Sequence, residues 1–460
     1  MNRLTYYILA ILIVIQIRGD GYFPFPKTWP MSIWLPLVLF HTIAIILFVF
    51  LSLKQLLNDE LEPLNIISDK NKHLLVVVIT PFLLLIGVFG LQYIQSQYFN
   101  NIGYLISVKA LNAYFVISLF SFIIYNIYTI KFNRENVLLF LILLFSSYLI
   151  AKMLPIASFP ITAKRSDLLP ILKEAGRAIL SGQNPYKYYL LDNGILTQNV
   201  RFPGLMISYI PAVYFNFDLR FITLFFESFI FLILAYLIIK FKAATKIFPY
   251  ELLLVLIAFF LLPYWHFRHE LYEAPFWMLL TVVIFALYRN FFWMSAIVLG
   301  LLISMHQWGI LFAPYLAIYQ YKTTNLKKTI LMIFVSSIIA ITVFLLIPGF
   351  NVKDFFEHTI VFYKKVINEK AFPPLGMFFT PYFSKLNLTG LLQPIQVLLQ
   401  IPLLFMAYKH GKRIEVILGI LAVSLLCFLL FNPVVWTYQY LLLVYLLILG
   451  LYFKILKKVI

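Results

Sequence analysis

Long apolar stretches with few charges recur along nearly the whole of this 460-residue chain. Candidate segments are 4–17, 32–53, 74–94, 109–130, 137–154, 221–240, 250–264, 275–288, 291–305, 308–320, 329–347, 391–408, 415–431 and 438–453. A helix needs about 17–25 apolar residues to cross a bilayer, and fewer where it is broken or packed within protein. A soluble fold would have to cover these runs with polar surface, and the chain lacks it. It is 63% apolar and 12% charged, with a mean hydropathy of +0.93, against about 45–50% and about 25% in soluble domains. A β-barrel would alternate polar and apolar residues in segments of about ten, and these runs are continuous. The expected fold is therefore all-α, a polytopic transmembrane bundle of about 12–14 spans.

The net charge of +18 does not indicate nucleic acid, because the basic residues sit in short clusters between apolar runs rather than in a basic domain. They read as topology signals and contacts with anionic membrane lipids. The first segment reads as an uncleaved anchor, since Arg18-Gly19-Asp20 and no small-residue cleavage site follows it. With the N-terminus inside, Lys54, Lys131, Lys240, Lys322, Lys409 and Lys454, with their basic neighbours, fall on the cytoplasmic side. Both termini are then cytoplasmic, most simply in a prokaryotic plasma membrane. Two long loops, 155–204 and 348–390, fall outside, where long loops are usually functional. Residues 205–217, apolar but short and interrupted by Pro211, read as a half-helix entering the outer leaflet. Residues 291–320 admit two short helices or one long one. The chain divides into an N-terminal four-helix block, 1–130, and a core, 131–460.

The first outer loop contains an amphipathic pattern at 166–181. Ser166 suits an N-cap, Asp167 the first turn, and Gly182 the C-terminal stop. Leu168, Leu169, Leu172, Ala175, Ile179 and Leu180 recur at helical spacing, with Lys173, Glu174 and Arg177 off the stripe. Then follow Gly182-Gln183-Asn184-Pro185-Tyr186 and Arg201-Phe202-Pro203-Gly204-Leu205. Further on come Arg268-His269-Glu270, then Gly300-Leu301 through His306 to Pro314. Near the end stands Asn432-Pro433-Val434-Val435-Trp436.

In order and spacing these motifs resemble the GT-C superfamily of membrane glycosyltransferases, nearest to the polyprenol-phosphate-mannose-dependent enzymes of family 87. The resemblance covers roughly 137–453. Gly204 stands where a second proline is usual, His306 where lysine is commoner, and Tyr438-Gln439 where histidine is expected. The resemblance implies transfer of a hexose, mannose by precedent, from a polyprenyl-phosphate-sugar donor to a lipid-linked or glycan acceptor on the outer face. The anomeric centre would be inverted, with Asp167 as general base. Such chemistry needs a carboxylate for the acceptor proton and cations for the leaving phosphate.

Arg268 with His269 and Glu270 could meet the phosphate, arginine being the best bidentate partner. The plainer reading is an interfacial salt bridge of Arg268 with Glu270 or Glu273. His306 could reach the same site or serve as an interhelical histidine. Lys364 and Lys365 could grip phosphate or form a solvated run. Tyr186 and Arg201 are weaker candidates. Most of the remaining outer carboxylates read as solvated. No cofactor is implied, and no paired-aspartate motif in the loop demands a divalent metal. A polysaccharide polymerase or ligase, or a flippase for a lipid-linked glycan, would share the composition. A flippase would place charge at mid-membrane, where Glu227 is the clearest case.

Overall fold

The computed structural model describes residues 31–57, 120, 136–158, 160–163, 167–245, 252–253, 256, 273–369, 379–435 and 439–456. The expected segments 4–17 and 74–94, and nearly all of 109–130 and 250–264, lie outside the described residues. The rest is mostly helical, with a single small hairpin of strands among the described residues.

The long helices are α1 (Met31–Leu57), α2 (Val137–Ser158), α5 (Arg220–Thr245), α9 (Leu326–Leu345) and α13 (Leu392–His410). Between them stand α6 (Ala274–Tyr288), α7 (Phe292–Met305), α8 (Gln307–Thr323), α14 (Ile414–Leu430) and α15 (Tyr440–Leu456). By length and composition, Arg220–Thr245, Leu326–Leu345 and Thr389–His410 are long and apolar enough to cross a membrane. α6, α7, α8, α14 and α15 have only 14–17 residues. α7 has 14 residues, or about 21 Å at 1.5 Å per residue. Such a helix cannot cross about 30 Å of hydrocarbon alone, but is tolerated where protein covers its ends.

The centre of the bundle is the C-terminal pair. All 17 residues of α15 are buried, as a helix apolar on every face requires. It packs on α14. Trp277 of α6 stacks on Tyr445 at 4.7 Å. Tyr452 donates to the Leu234 carbonyl of α5. α1, from the proposed N-terminal block, also packs on this pair. Arg413 donates to the carbonyls of Leu56 and Leu57 at 2.9 and 3.2 Å, and Lys454 donates to that of Gln55. These cations satisfy carbonyls that the last turn of a helix leaves open.

The candidate segment 291–320 is two helices. Extended backbone at His306 (φ −158°, ψ 150°) separates them, and His306 caps α8 by accepting from Trp308 N at 3.2 Å. Gly309 lies against the backbone of Leu302, where a Cβ would overlap the Leu302 carbonyl. The first turn of α8 therefore folds back on the last turn of α7.

The long loops form a layer at one end of the bundle. The first holds α3 (Leu168–Leu180), a hairpin of β1 (Tyr188–Leu190) and β2 (Leu196–Gln198), and α4 (Pro203–Tyr214). The strands pair antiparallel with Tyr189 opposite Thr197. Asn193-Gly194 in the intervening turn is the sequence signal for this hairpin. α3 ends at Gly182 (φ +73°). Its N-cap is Asp167, one residue later than expected, and Asp167 makes no side-chain capping bond. α4 has 12 residues, too few to span, as the half-helix reading expects. The second loop holds α10 (Val352–Phe356), a π-helical turn (Glu357–Val361), α11 (Phe362–Asn368) and α12 (Thr380–Lys385).

Candidate functional site

The two loops are joined, and the joint fixes the site. Asn184 Nδ2 donates to Asp354 Oδ2 at 2.8 Å, and Gln198 Nε2 donates to the His358 carbonyl at 3.2 Å. Phe355 lies edge-on to Tyr186 and Phe202, each at 5.3 Å, and to Phe344 at 5.2 Å. α10, the π turn and α11 are thereby held beside the bundle mouth. A π turn adds a residue to the helix and re-aims the side chains that follow, and such turns are frequent at functional sites.

Beneath this segment lies a cavity of about 440 Å³. Its polar wall includes Gln307 at the start of α8, Tyr363 and Lys364 of α11, Gln393 and Gln396 of α13, and Asn432 after α14. Gln396 Nε2 donates to the Phe428 carbonyl at 2.9 Å. Asn432 Nδ2 donates to the Val434 carbonyl at 2.8 Å. A wall of amides and hydroxyls beside aromatic rings suits a ligand rich in hydroxyl groups. The α13 glutamines at 393, 396 and 400 repeat at helical spacing on an apolar helix, a polar stripe visible in the sequence that the motif reading passes over.

Behind the cavity wall stands a charged cluster. Gly204 at the start of α4 lies against Ser304 of α7, where a Cβ would collide with the Ser304 hydroxyl. This contact carries Arg201 to the α7–α8 junction. Tyr186 fixes the backbone there: its hydroxyl donates to the Arg201 carbonyl at 3.1 Å, and Arg201 N donates to Asn199 Oδ1 at 3.1 Å. Tyr186 is 3% exposed, so it positions Arg201 and presents no ring for stacking on a sugar. Arg201 itself is 7% exposed.

His306 lies within electrostatic reach of this arginine. Burial, and secondarily Arg201, push its pKa down to about 3, so the ring is neutral. Its Nδ1 accepts from Trp308 N, which leaves Nε2–H to donate. The Phe276 ring of α6 sits 5.8 Å from that of His306. Glu273, three residues earlier on the same helical face, is 1% exposed. It is not one of the solvated outer carboxylates; Arg268, its expected salt-bridge partner, lies outside the described residues. Burial pushes its pKa up to about 8, with Arg201 acting in the opposite direction. Burial also raises the Tyr363 hydroxyl, against the effects of a hydrogen bond with Gln307 and of Arg201.

The remaining candidates are placed apart. Lys364 is exposed and lines the cavity. Lys365, beside it, points away and lies 3.8 Å from Glu369, both exposed. Asp167 is exposed at the start of α3; α3 packs on α4, and its apolar face joins Tyr186 and Phe355 in one cluster. Arg268, His269, Glu270 and Trp436 lie outside the described residues. Deep in the bundle, Glu227 is paired with Lys152 of α2 at 3.0 Å, both buried, and Tyr148 donates to the same carboxylate. No protein-family model, curated protein or solved structure matches the chain.

Proposed function

We propose that this chain is a membrane glycosyltransferase. It moves a hexose from a polyprenyl-phosphate-sugar donor to a lipid-linked or glycan acceptor at the loop end of the bundle. One observation supports this above the others: an amide- and aromatic-lined cavity of about 440 Å³ is walled by Gln307, the residue after His306, and by Tyr363, on which Arg201 acts electrostatically. The cavity has the hydrogen-bonding groups a pyranose needs, and the cluster has the positive charge a leaving phosphate needs. The cavity is bounded by α13, whose Val397, Leu398, Ile401 and Phe405 are 58–69% exposed. That apolar face gives an isoprenoid chain a path from the bilayer.

In this reading the acceptor hydroxyl attacks the anomeric carbon and gives its proton to Asp167. The sugar–phosphate bond breaks on the opposite side, and its electrons pass to the lipid phosphate. Arg201, His306 Nε2–H and Lys364 would stabilise that charge. The one-ended placement of the polar groups favours an enzyme over a flippase, since the deep charge at Glu227 is compensated by Lys152.

The test is transfer of labelled sugar in membranes from polyprenyl-phosphate-hexoses, comparing wild type with Asp167→Asn. The variant keeps size and removes the base. The expected result is transfer by wild type and a loss of about 10²–10⁴-fold in the variant at equal expression. Transfer that survives the substitution would remove Asp167 from the mechanism. Absence of transfer from every donor, with lipid-linked acceptors supplied, would count against the glycosyltransferase reading.

A further inference from the structure

The end of the bundle away from the loops carries a charge pattern that sugar transfer does not use. α8 and α13 both start at the cavity, with Gln307 and Gln393 in its wall, so their last turns lie at the opposite end. Lys322 and Lys409 stand in those turns. Lys412 follows α13, and Lys327 and Lys328 fall in the first turn of α9. α8 packs on both α9 and α13, which gathers these lysines at one place. No Asp or Glu stands in 291–350 or 370–414, the stretches that hold all three helices. The first acid beyond them, Glu415, is bonded by Arg413 at 2.8 Å. Among the described residues, none of the five ammonium groups has a hydrogen-bond or ion-pair partner.

Helix stability accounts for only part of this pattern. A cation in the last turn complements the helix dipole, which suits Lys322 and Lys409. Lys327 and Lys328 stand at the opposite pole of α9, where a cation is disfavoured and an anion is favoured. Nor does the dipole explain the seat of Lys322. Its ammonium lies 3.5 Å from the centre of the Tyr408 ring, on the neighbouring helix, and 5.7 Å from that of Tyr321. The two rings stack at 6.4 Å with 15° between their planes. Together they fix one cation at the mouth of the seam between α8 and α13, and tyrosines of this kind mark a membrane–water boundary.

Below that cation the seam is apolar. Tyr315 of α8 donates to Gln400 of α13 at 2.7 Å, and Lys322, seven residues on, shares the face turned to α13. On the adjoining face of α8, Pro314 and Tyr321 are exposed and Ala317 and Ile318 half-buried. On α13, Ile401 and Tyr408 are exposed, with Leu404 half-buried between them. One leaflet holds about 15 Å of hydrocarbon, half of the usual core, or about ten residues of helix. An acyl chain entering beside Tyr408 therefore ends near Leu398, short of the cavity wall at Gln393 and Gln396.

We propose that the α8–α13 seam, with Lys322 at its mouth and the α9 lysines beside it, is a binding site for an anionic phospholipid of the surrounding bilayer. Its phosphate supplies the partner that the ammonium groups lack, and its chains cover Ile401 and Leu404. Apolar side chains between helices with unpaired cations at the water boundary are the complement of such a lipid. The site requires a bundle embedded in a membrane and does not rest on the glycosyltransferase reading.

The test titrates fluorescent phosphatidylglycerol into the full chain in micelles of an uncharged detergent, beside phosphatidylcholine with the same label and chains. Lys322→Gln/Lys409→Gln removes one cation from each wall of the seam. Lys240→Gln/Lys242→Gln removes two near the end of α5 and matches the change in net charge. Wild type should bind phosphatidylglycerol saturably and more tightly than phosphatidylcholine. The seam variant should lose about thirtyfold in affinity, roughly fivefold for each lysine, and the α5 variant should bind as wild type does. Cooperative thermal unfolding of both variants in lipid-free micelles separates loss of binding from loss of fold. Equal binding of the two lipids, wild-type affinity in the seam variant, or an equal loss in the α5 variant would overturn the proposal, the last by revealing attraction to charge without a site. Glycerol 3-phosphate has the headgroup chemistry without the chains and should not displace the lipid at equal concentration; displacement would assign the lysines to a soluble phosphate instead. A lipid-free chain that dimerises, and that the seam substitutions make monomeric, would assign the face to a second copy. None of these readouts involves sugar transfer, so the enzyme reading and this one fail separately.

Discussion

At the scale of single residues, the site depends on Gly204. Its missing Cβ lets the start of α4 touch the backbone and hydroxyl of Ser304, and that contact delivers Arg201 to His306. Gly204→Ala should cost about 1–3 kcal/mol, the usual cost of overpacking a tight contact. It should appear as a lower unfolding temperature in detergent, accompanied by weaker binding of farnesyl phosphate. Adding Ser304→Gly removes the colliding hydroxyl but leaves the Ser304 carbonyl 3.0 Å from the new Cβ, so it should restore only part of the loss. Unchanged stability in the single variant would show that the contact yields easily. In the sequence, Gly204 reads only as a departure from a proline motif. Its partner lies a hundred positions away, and no local pattern connects the two. Glu273 is similar: the sequence offers it as a salt-bridge partner for Arg268, and its burial comes from the packing of α6 beside the α7–α8 junction. By contrast, the stop at Gly182 is legible, because a positive φ after an amphipathic run is a local requirement. Three other positive-φ positions, Asn216, Asn290 and Asn387, follow helices at which asparagine does the work of glycine, a weaker signal in the sequence.

At the scale of elements, the apolar periods and breaks are legible because they are local physics. Segments 137–154, 221–240, 329–347 and 391–408 coincide with α2, α5, α9 and α13. What joins the elements is less legible. α2 and α5 are tied by Lys152 and Glu227, whose side chains are 0% and 2% exposed and whose charged atoms are 3.0 Å apart. The lysine stands inside an apolar run with nothing nearby in sequence to name its partner. Breaking a buried pair leaves an uncompensated charge, whereas replacing both members with apolar residues can be neutral. Glu227→Gln should therefore destabilise by about 3–5 kcal/mol, while the double variant Lys152→Met/Glu227→Leu should recover most of it in thermal unfolding. A double variant no better than the single one would mean that the pair organises its neighbours through bonds of its own, such as the one from Tyr148. α1 is tied to the C-terminal helices by polar contacts as well. Arg413 and Lys454, from the opposite end of the chain, satisfy the carbonyls at its C-terminus.

At the scale of the whole molecule, the bundle has two unlike ends. One carries the loop layer, the cavity and Arg201. The other gathers the helix ends at which Lys54, Lys240, Lys322, Lys409, Arg413 and Lys454 stand. Basic residues in short connections are retained on the cytoplasmic side, so the loop end should face outward. This orientation matters to function, because a donor sugar and its acceptor must both reach the cavity from the same face. It is testable with the chain's one cysteine, Cys427, replaced by alanine. A new cysteine then goes at Lys365, 60% exposed at the loop end, or at Lys412, exposed beside Arg413. A membrane-impermeant maleimide added to intact cells should modify Lys365→Cys and spare Lys412→Cys, and permeabilised cells should show both modified. The reverse pattern would place the cavity in the cytoplasm. The outward orientation would then be wrong, the donor would have to be met on the inner leaflet, and the Asp167 test would have to be run with acceptors supplied from that side.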